Sequence, residues 1–198
     1  FLMFIDTFLK YLRFERNYSE KTIVSYRIDL EEFEDYLKKV DAEKNLVTAD
    51  ADLVRSWMVY LMEKGRSVAT VNRKLSSLRS FYRFLLRRRV VDLDPMLKVV
   101  GPKKQKTLPS FLRVQEMDRL LDECSVNEGF EGVRDRLILE MFYATGMRLS
   151  ELIGLSDADV DLSAKLLKVT GKRNKQRLIP FGEELWMDLL GYIKLRNE

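Results

Sequence analysis

Hydrophobic positions recur every three to four residues through the first half of the chain, the spacing by which a helix buries one face and leaves the other in water. This pattern predicts four helices, over roughly Ile5 to Arg16, Glu20 to Lys39, Asp50 to Lys64 and Val68 to Arg89. Polar residues that can accept a hydrogen bond from an unpaired helical N–H stand at their starts: Ser19 in Asn17-Tyr18-Ser19, Thr48 or Asp50, and Ser67 after the break at Gly65. In the third helix Leu53, Trp57, Tyr60 and Leu61 share a face, and Trp57 is expected in the core. In the fourth, Val68, Val71, Leu75, Leu78, Phe81, Tyr82, Leu85 and Leu86 do the same.

The periodicity stops between Val99 and Pro109, where Gly101, Pro102 and Pro109 alternate with Lys103, Lys104 and Lys106, so a linker is expected there. It separates residues 1–98 from residues 111–198. Beyond it, Leu112 to Cys124 and Gly132 to Tyr143 read as helices, and Ala144-Thr145-Gly146 stops the second. A short helix is expected from Met147 to Ile153 or Gly154. Leu166 to Val169 and Arg177 to Pro180 read as two short strands flanking Gly171-Lys172-Arg173-Asn174-Lys175, a basic antiparallel hairpin. A last helix, Glu183 to Leu195, carries Leu185, Trp186, Leu189, Leu190 and Ile193. The fold expected is mainly α, with four helices first and a mixed α+β part after the linker.

Composition supports a folded chain: 198 residues, 46% hydrophobic, with four prolines. No apolar run approaches the length of a membrane span, and Phe1 to Ile5 is cut by Asp6 with no basic stretch before it, so neither a span nor a signal peptide is expected. The single cysteine, Cys124, is expected as a small core residue and suits a reducing cytoplasm. Histidine is absent, which removes Ser-His-Asp and Cys-His nucleophiles, imidazole bases and His-based zinc sites. No metal or other cofactor is expected. Chemistry would have to use Arg, Lys, carboxylates or Tyr. The first residue is Phe, so the chain is expected to be trimmed or part of a longer protein.

The net charge of +4 conceals an uneven distribution. Lys64 to Lys106 holds 13 basic residues against Asp92 and Asp94, a net of +11, which leaves −7 for the other 155 residues. Between Glu63 and Asp92 there is no acid at all, whereas a solvated helix normally mixes signs to gain i,i+4 pairs. On the predicted fourth helix Arg73, Ser76, Ser80, Arg83 and Arg87 fall within an arc of about 80°, opposite the apolar face. Long cations flanking small hydroxyls suit a helix laid against a nucleic-acid duplex, with Arg on phosphates and a few side chains at base edges. The alternatives are a solvated basic face, an acidic protein partner or an anionic membrane. The 28 acid-free residues favour nucleic acid over the first, and use of the apolar face as core argues against the last.

In the second half Arg148 lies at a Gly-preceded helix start, where the macrodipole disfavours a cation unless an anion is bound. Its planar fork would hold a phosphate bidentately, or it is an ordinary exposed Arg paired with Glu151 three residues on. Lys172, Arg173, Lys175 and Arg177 would clamp a phosphate backbone or decorate a solvated turn. A lysine there with a lowered pKa could protonate a leaving oxygen.

From Ser19 to Pro180 the chain resembles the tyrosine site-specific recombinases, in their Xer-like and phage-integrase branch. The resemblance rests on Ser19-Glu20-Lys21-Thr22 with Tyr26 and Asp29-Leu30, on Asn72-Arg73-Lys74-Leu75-Ser76-Ser77-Leu78-Arg79-Ser80-Phe81-Tyr82, and on Pro102-Lys103-Lys104 with Leu108-Pro109. It is strongest at Arg134-Asp135, at Tyr143-Ala144-Thr145-Gly146-Met147-Arg148-Leu149-Ser150-Glu151-Leu152 and at Gly171-Lys172-Arg173-Asn174-Lys175-Gln176-Arg177.

The resemblance implies a SAM-like core-binding domain over 1–98, a basic linker over 99–110 and the first, truncated part of the catalytic domain over 111–198, the two domains forming a C-shaped clamp on duplex DNA. It implies that Arg148 contacts the scissile phosphate, that Glu151 helps hold Arg148, and that Lys172 is the general acid for the leaving 5′-hydroxyl. This chain has Arg173 where relatives usually have Gly, which leaves Lys172 and Lys175 as alternatives. The DNA-facing set then comprises Arg73, Lys74, Ser76, Ser77, Arg79, Ser80, Arg83, Arg87, Thr22, Tyr26, Arg27, Lys103, Lys104, Arg173, Lys175 and Arg177. The family's tyrosine nucleophile and its histidines have no counterpart among these residues, so the chain alone is expected to be inactive and monomeric, whereas the full-length parent cuts and rejoins DNA as a tetramer. A catalytically inactive DNA-binding protein is the alternative, and a helical scaffold for an acidic protein a more distant one.

Overall fold

A computed structural model describes residues 2–105, 112–125 and 129–198. The chain divides into two compact units, Phe1–Thr107 and Leu108–Glu198.

The first unit is four helices, α1 Leu2–Phe14, α2 Glu20–Val40, α3 Ala51–Glu63 and α4 Val68–Arg87. Three of their starts are fixed by the expected caps. The Ser19 hydroxyl accepts from the Thr22 N–H, the Asp50 carboxylate from the N–H groups of Asp52 and Leu53, and the Ser67 hydroxyl from that of Thr70. The core is aromatic: Phe33 lies 4.8 Å from Trp57 between ring centres and Phe8 5.3 Å from Phe81, edge to face. Tyr82 is fully buried and satisfies its hydroxyl on the Leu46 carbonyl at 2.9 Å. The apolar face of α4 differs from expectation at two positions. Leu86 is exposed and Val68 half-buried, while Phe84 is buried beside Phe8 and Tyr11.

After α4 a single 3-10 turn, Pro95–Lys98, is capped by Asp94 and drives Met96 and then Val99 into the same core. The expected linker therefore does not start at Val99. Arg79 donates to the Val99 carbonyl at 3.2 Å and Asn72 to that of Pro102 at 2.9 Å. A Cβ on Gly101 would stand 2.1 Å from the Asn72 side-chain oxygen, so only glycine lets this strip lie so close to α4. The later linker residues from Lys106 to Ser110 lie outside the described residues.

The second unit runs α5 Val114–Ser125, α6 Phe130–Thr145, α7 Leu149–Ile153, β1 Val160–Asp161, β2 Leu166–Thr170, β3 Gln176–Pro180 and α8 Glu183–Asn197. The strands form an antiparallel sheet in the order β1-β2-β3, with Leu167 opposite Ile179 and Val169 opposite Arg177. The two-residue β1 is an addition to the expected hairpin. Gly146 ends α6 in the left-handed region at φ +60, where glycine carries no Cβ penalty. The core gathers Leu137 and Met141 of α6, Met147, Leu167 and Val169 of β2, and Leu185 and Leu189 of α8. The expectation for Cys124 concerns a side chain outside the described residues. No helix among them is long and apolar enough to cross a membrane.

Candidate nucleic-acid interface and phosphate site

On the first unit, burying one face of α4 turns Arg73, Ser76, Arg83 and Arg87 outward and leaves Ser80 half-buried. Against this face α1 and α2 enclose an open recess of about 360 Å³. Arg16, Arg79, Arg83 and Arg87 line it together with Tyr11, Tyr18 and Tyr26, and no carboxylate does. Arg87 is held in place: its Nη1 donates to the Tyr11 hydroxyl at 2.8 Å and its guanidinium lies 5.9 Å from that ring's centre. Arg79 is tied to the Val99 carbonyl. Burial, and then the neighbouring Tyr18 and Asp29, raise the Tyr26 pKa, so this phenol stays neutral and can donate to an anion. Tyr11, Arg16 and Tyr18 belong to this surface and were not anticipated. Their signal was the basic and aromatic run across the end of α1.

Several expected DNA-facing residues stand elsewhere. Lys74 and Ser77 are buried, so neither faces outward. The Lys74 ammonium sits 3.0 Å from Asp29 Oδ1 and 2.5 Å from Glu32 Oε2, and the Ser77 hydroxyl donates to the Lys74 carbonyl. Arg27 pairs with Asp6 at 2.8 Å and Glu31 at 3.5 Å, facing a separate recess with Lys10, Arg13 and Glu20. Thr22 is half-buried, its hydroxyl 2.9 Å from that of the capping Ser19. Tyr26 does reach the α4 recess. Lys103 and Lys104 are exposed just past the docked strip.

On the second unit Arg148 is the N-cap of α7 rather than a first-turn residue, with its side chain 69% exposed. Glu151, buried, faces it. The Arg148 backbone N–H donates to Glu151 Oε2 at 2.8 Å and its Nη1 to Oε1 at 3.0 Å. From β3, Arg177 donates through Nη1 to Oε1 at 2.7 Å and through Nη2 to Oε2 at 2.9 Å. These bonds, that of the Arg177 side chain foremost, pull the Glu151 carboxyl down to about 2. Arg177 is thus held on Glu151 while two-fifths of its side chain, at 41%, stays exposed on the hairpin. Gly171 makes this approach feasible, because a Cβ there would meet Glu151 Oε1 at 2.9 Å, while its N–H donates to the Lys175 carbonyl at 2.8 Å. Lys172, at the start of the 3-10 turn Lys172–Asn174, and Lys175 are exposed on the same loop. The Arg173 side chain lies outside the described residues. Arg134 is engaged with Asp135 at 2.9 Å.

The arrangement is an exposed guanidinium anchored by a deeply ionised carboxylate, with exposed lysines on the adjoining loop, and separately a basic recess rimmed by phenols. Both suit phosphodiester oxygens. Residues 5–89 match the phage integrase N-terminal SAM-like domain and residues 110–196 the phage integrase family. The chain belongs to this family, the tyrosine recombinases.

It is 40% identical over 179 residues to tyrosine recombinase XerC of Bacillus subtilis (strain 168), covering 90% of this chain and 58% of that protein. To tyrosine recombinase XerC of Chlorobaculum tepidum it is 36% identical over 213 residues, covering 98% and 63%. The chain thus spans about three-fifths of the length of the curated relatives it matches. Among solved structures it is similar to the Tn1549 transposon integrase in complex with circular intermediate DNA, at a TM-score of 0.71 and 20% identity over 96% of this chain and 64% of that one. The XerH recombinase bound to a palindromic difH substrate gives 0.70 and 20%, covering 92% and 55%. At these identities the likeness is one of fold.

Proposed function

We propose that this chain is the DNA-holding and phosphate-positioning part of a site-specific tyrosine recombinase, binding duplex DNA through the outward face of α4. The observation that carries the reading is the recess beside that face, with four arginines, three tyrosines and no carboxylate among its lining residues. Cations so placed neutralise successive phosphates and release their counterions. Ser76 and Ser80, being small, let the helix backbone come near the duplex, and Lys103 and Lys104 extend the basic surface.

In the second unit Arg148 is the group for the scissile phosphate, where a fixed guanidinium would stabilise the charge that builds up on the equatorial oxygens in phosphoryl transfer. Glu151 orients it, and Lys172 or Lys175 supplies the proton to the 5′-oxygen that leaves. In the parent protein a tyrosine carries the 3′-phosphate between cleavage and rejoining, protomers assemble as a tetramer on two duplexes, and the work is done in the cytoplasm. The 198 residues alone are monomeric and bind duplex DNA without cutting it.

A nicked suicide duplex separates these statements in one experiment. The expected result is retarded migration with no covalent protein–DNA adduct. A denaturant-resistant adduct would place a nucleophile among the eight tyrosines of this chain, and no retardation at low salt would overturn the DNA-holding role.

A further inference from the structure

Resting on the DNA-holding reading of α4, the geometry assigns Asp29 the role of a positioning residue for sequence discrimination, acting through Arg73. Asp29 on α2 is completely buried, yet carries a charge that must be compensated. Two cations of α4 do so. Arg73 donates through Nη1 to Oδ2 at 2.5 Å and through Nη2 to Oδ1 at 2.9 Å, and Lys74 donates to Oδ1 at 3.0 Å. Lys74 is itself buried over the Trp57 ring at 6.0 Å and is shared with Glu32. The four groups form a line of contacts, Glu32, Lys74, Asp29 and Arg73, with two positive and two negative charges.

Two consequences follow from that charge balance. Arg73 contributes little to the long-range positive field, because Asp29 cancels it locally. Its value to a ligand is geometric. About half of its side chain is exposed at the end of the Ser76 and Ser80 stripe, and two of its five donors are fixed on a carboxylate that cannot move. A guanidinium already locked in one rotamer gives up little entropy when its remaining donors meet a base edge in the major groove. Arg83 and Arg87 have no carboxylate partner among the described residues and supply field and phosphate contacts. Lys74 holds the Asp29 carboxylate in place from the other side, which is why a lysine inside this motif is turned inward.

The test uses the whole chain. A preferred duplex is selected from a randomised pool with the wild type, and its Kd is compared with that of a scrambled duplex of the same length by fluorescence anisotropy. The readout is the ratio of the two constants. Asp29→Asn should lower it by about tenfold, the discrimination one good arginine contact provides. Arg73→Ala should lower it equally, and adding Asp29→Asn to Arg73→Ala should lower it no further. A role confined to stability would weaken both duplexes alike and leave the ratio where it was, and that result, or an additive loss in the double variant, overturns the assignment. If Asp29→Asn gives no cooperative melt, Arg73→Lys decides: a lysine cannot make the forked contact, so its ratio should fall as Arg73→Ala does, and a retained ratio overturns the proposal. A wild type that selects no sequence while binding duplexes tightly contradicts the discrimination itself, and one that binds no duplex contradicts the reading beneath it.

Discussion

Arg177 meets Glu151 with both of its terminal nitrogens, Nη1 at 2.7 Å from Oε1 and Nη2 at 2.9 Å from Oε2, and the Glu151 side chain has no exposed surface. Through this contact the loop that carries Lys172 is fastened to the helix start that carries Arg148. The same carboxylate accepts from Arg148, so two elements far apart in sequence share one anchor.

The anchor has a signature in acid. In the folded chain the Glu151 carboxyl sits at about 2, below the ~4.3 of a free glutamate, so the unfolded chain takes up the proton first as the pH falls. The stabilisation is fully present above pH ~4.3 and is lost progressively on acidification toward 2. Thermal melts of wild type and Glu151→Gln should differ most near neutrality and converge below pH ~4.3. A gap between the two melting temperatures that stays constant down to the acid limit would show that ionisation of Glu151 does not stabilise the fold.

Gly171 should tolerate no side chain. Its Cβ would stand 2.9 Å from Glu151 Oε1, so Gly171→Ala must displace either the carboxylate or the loop, at a cost of about 1–3 kcal/mol. Gly191, inside α8 with open space around it, provides the contrast: Gly191→Ala should stabilise by about 0.5–1 kcal/mol. Urea unfolding of the two variants should move the midpoint in opposite directions.

Local chemistry made much of this legible in the sequence. Ser19, Asp50 and Ser67 cap the helices they precede because each bond joins groups two or three residues apart. The position of Gly146 at the end of α6 follows from the same short range. What periodicity could not show depends on partners far along the chain. Lys74 turns inward because Asp29 and Glu32, more than 40 residues earlier, lie opposite it. Val99 docks because α4 and the Pro95–Lys98 turn present a surface to it, although its neighbours Gly101 and Pro102 read as a linker. Phe84 replaces Leu86 in the core because α1 and its Phe8 and Tyr11 rings approach α4 from one side. The pairing of Glu151 with Arg148 was readable at a spacing of three residues; its pairing with Arg177 required the hairpin to fold back.

Lys74 should behave as a core residue. Lys74→Ala leaves Asp29 buried with one cation in place of two and Glu32 without its partner, which should cost about 3–5 kcal/mol, as when a buried ion pair is broken. Chemical denaturation measures this directly. A loss below about 1 kcal/mol, the range of surface ion pairs, would mean that the ammonium reaches solvent.

On the proposed function the outward face of α4 holds duplex DNA through Arg83 and Arg87, which have no carboxylate partner among the described residues. Fluorescence anisotropy of a labelled duplex across a salt series, for wild type and an Arg83→Glu, Arg87→Glu variant, tests it most directly. Each neutralised phosphate contributes a slope of about −0.9 in log K against log salt, so the variant should bind more weakly with a slope shallower by about 1.8. Equal affinities and parallel slopes would contradict the account and move the DNA to another surface.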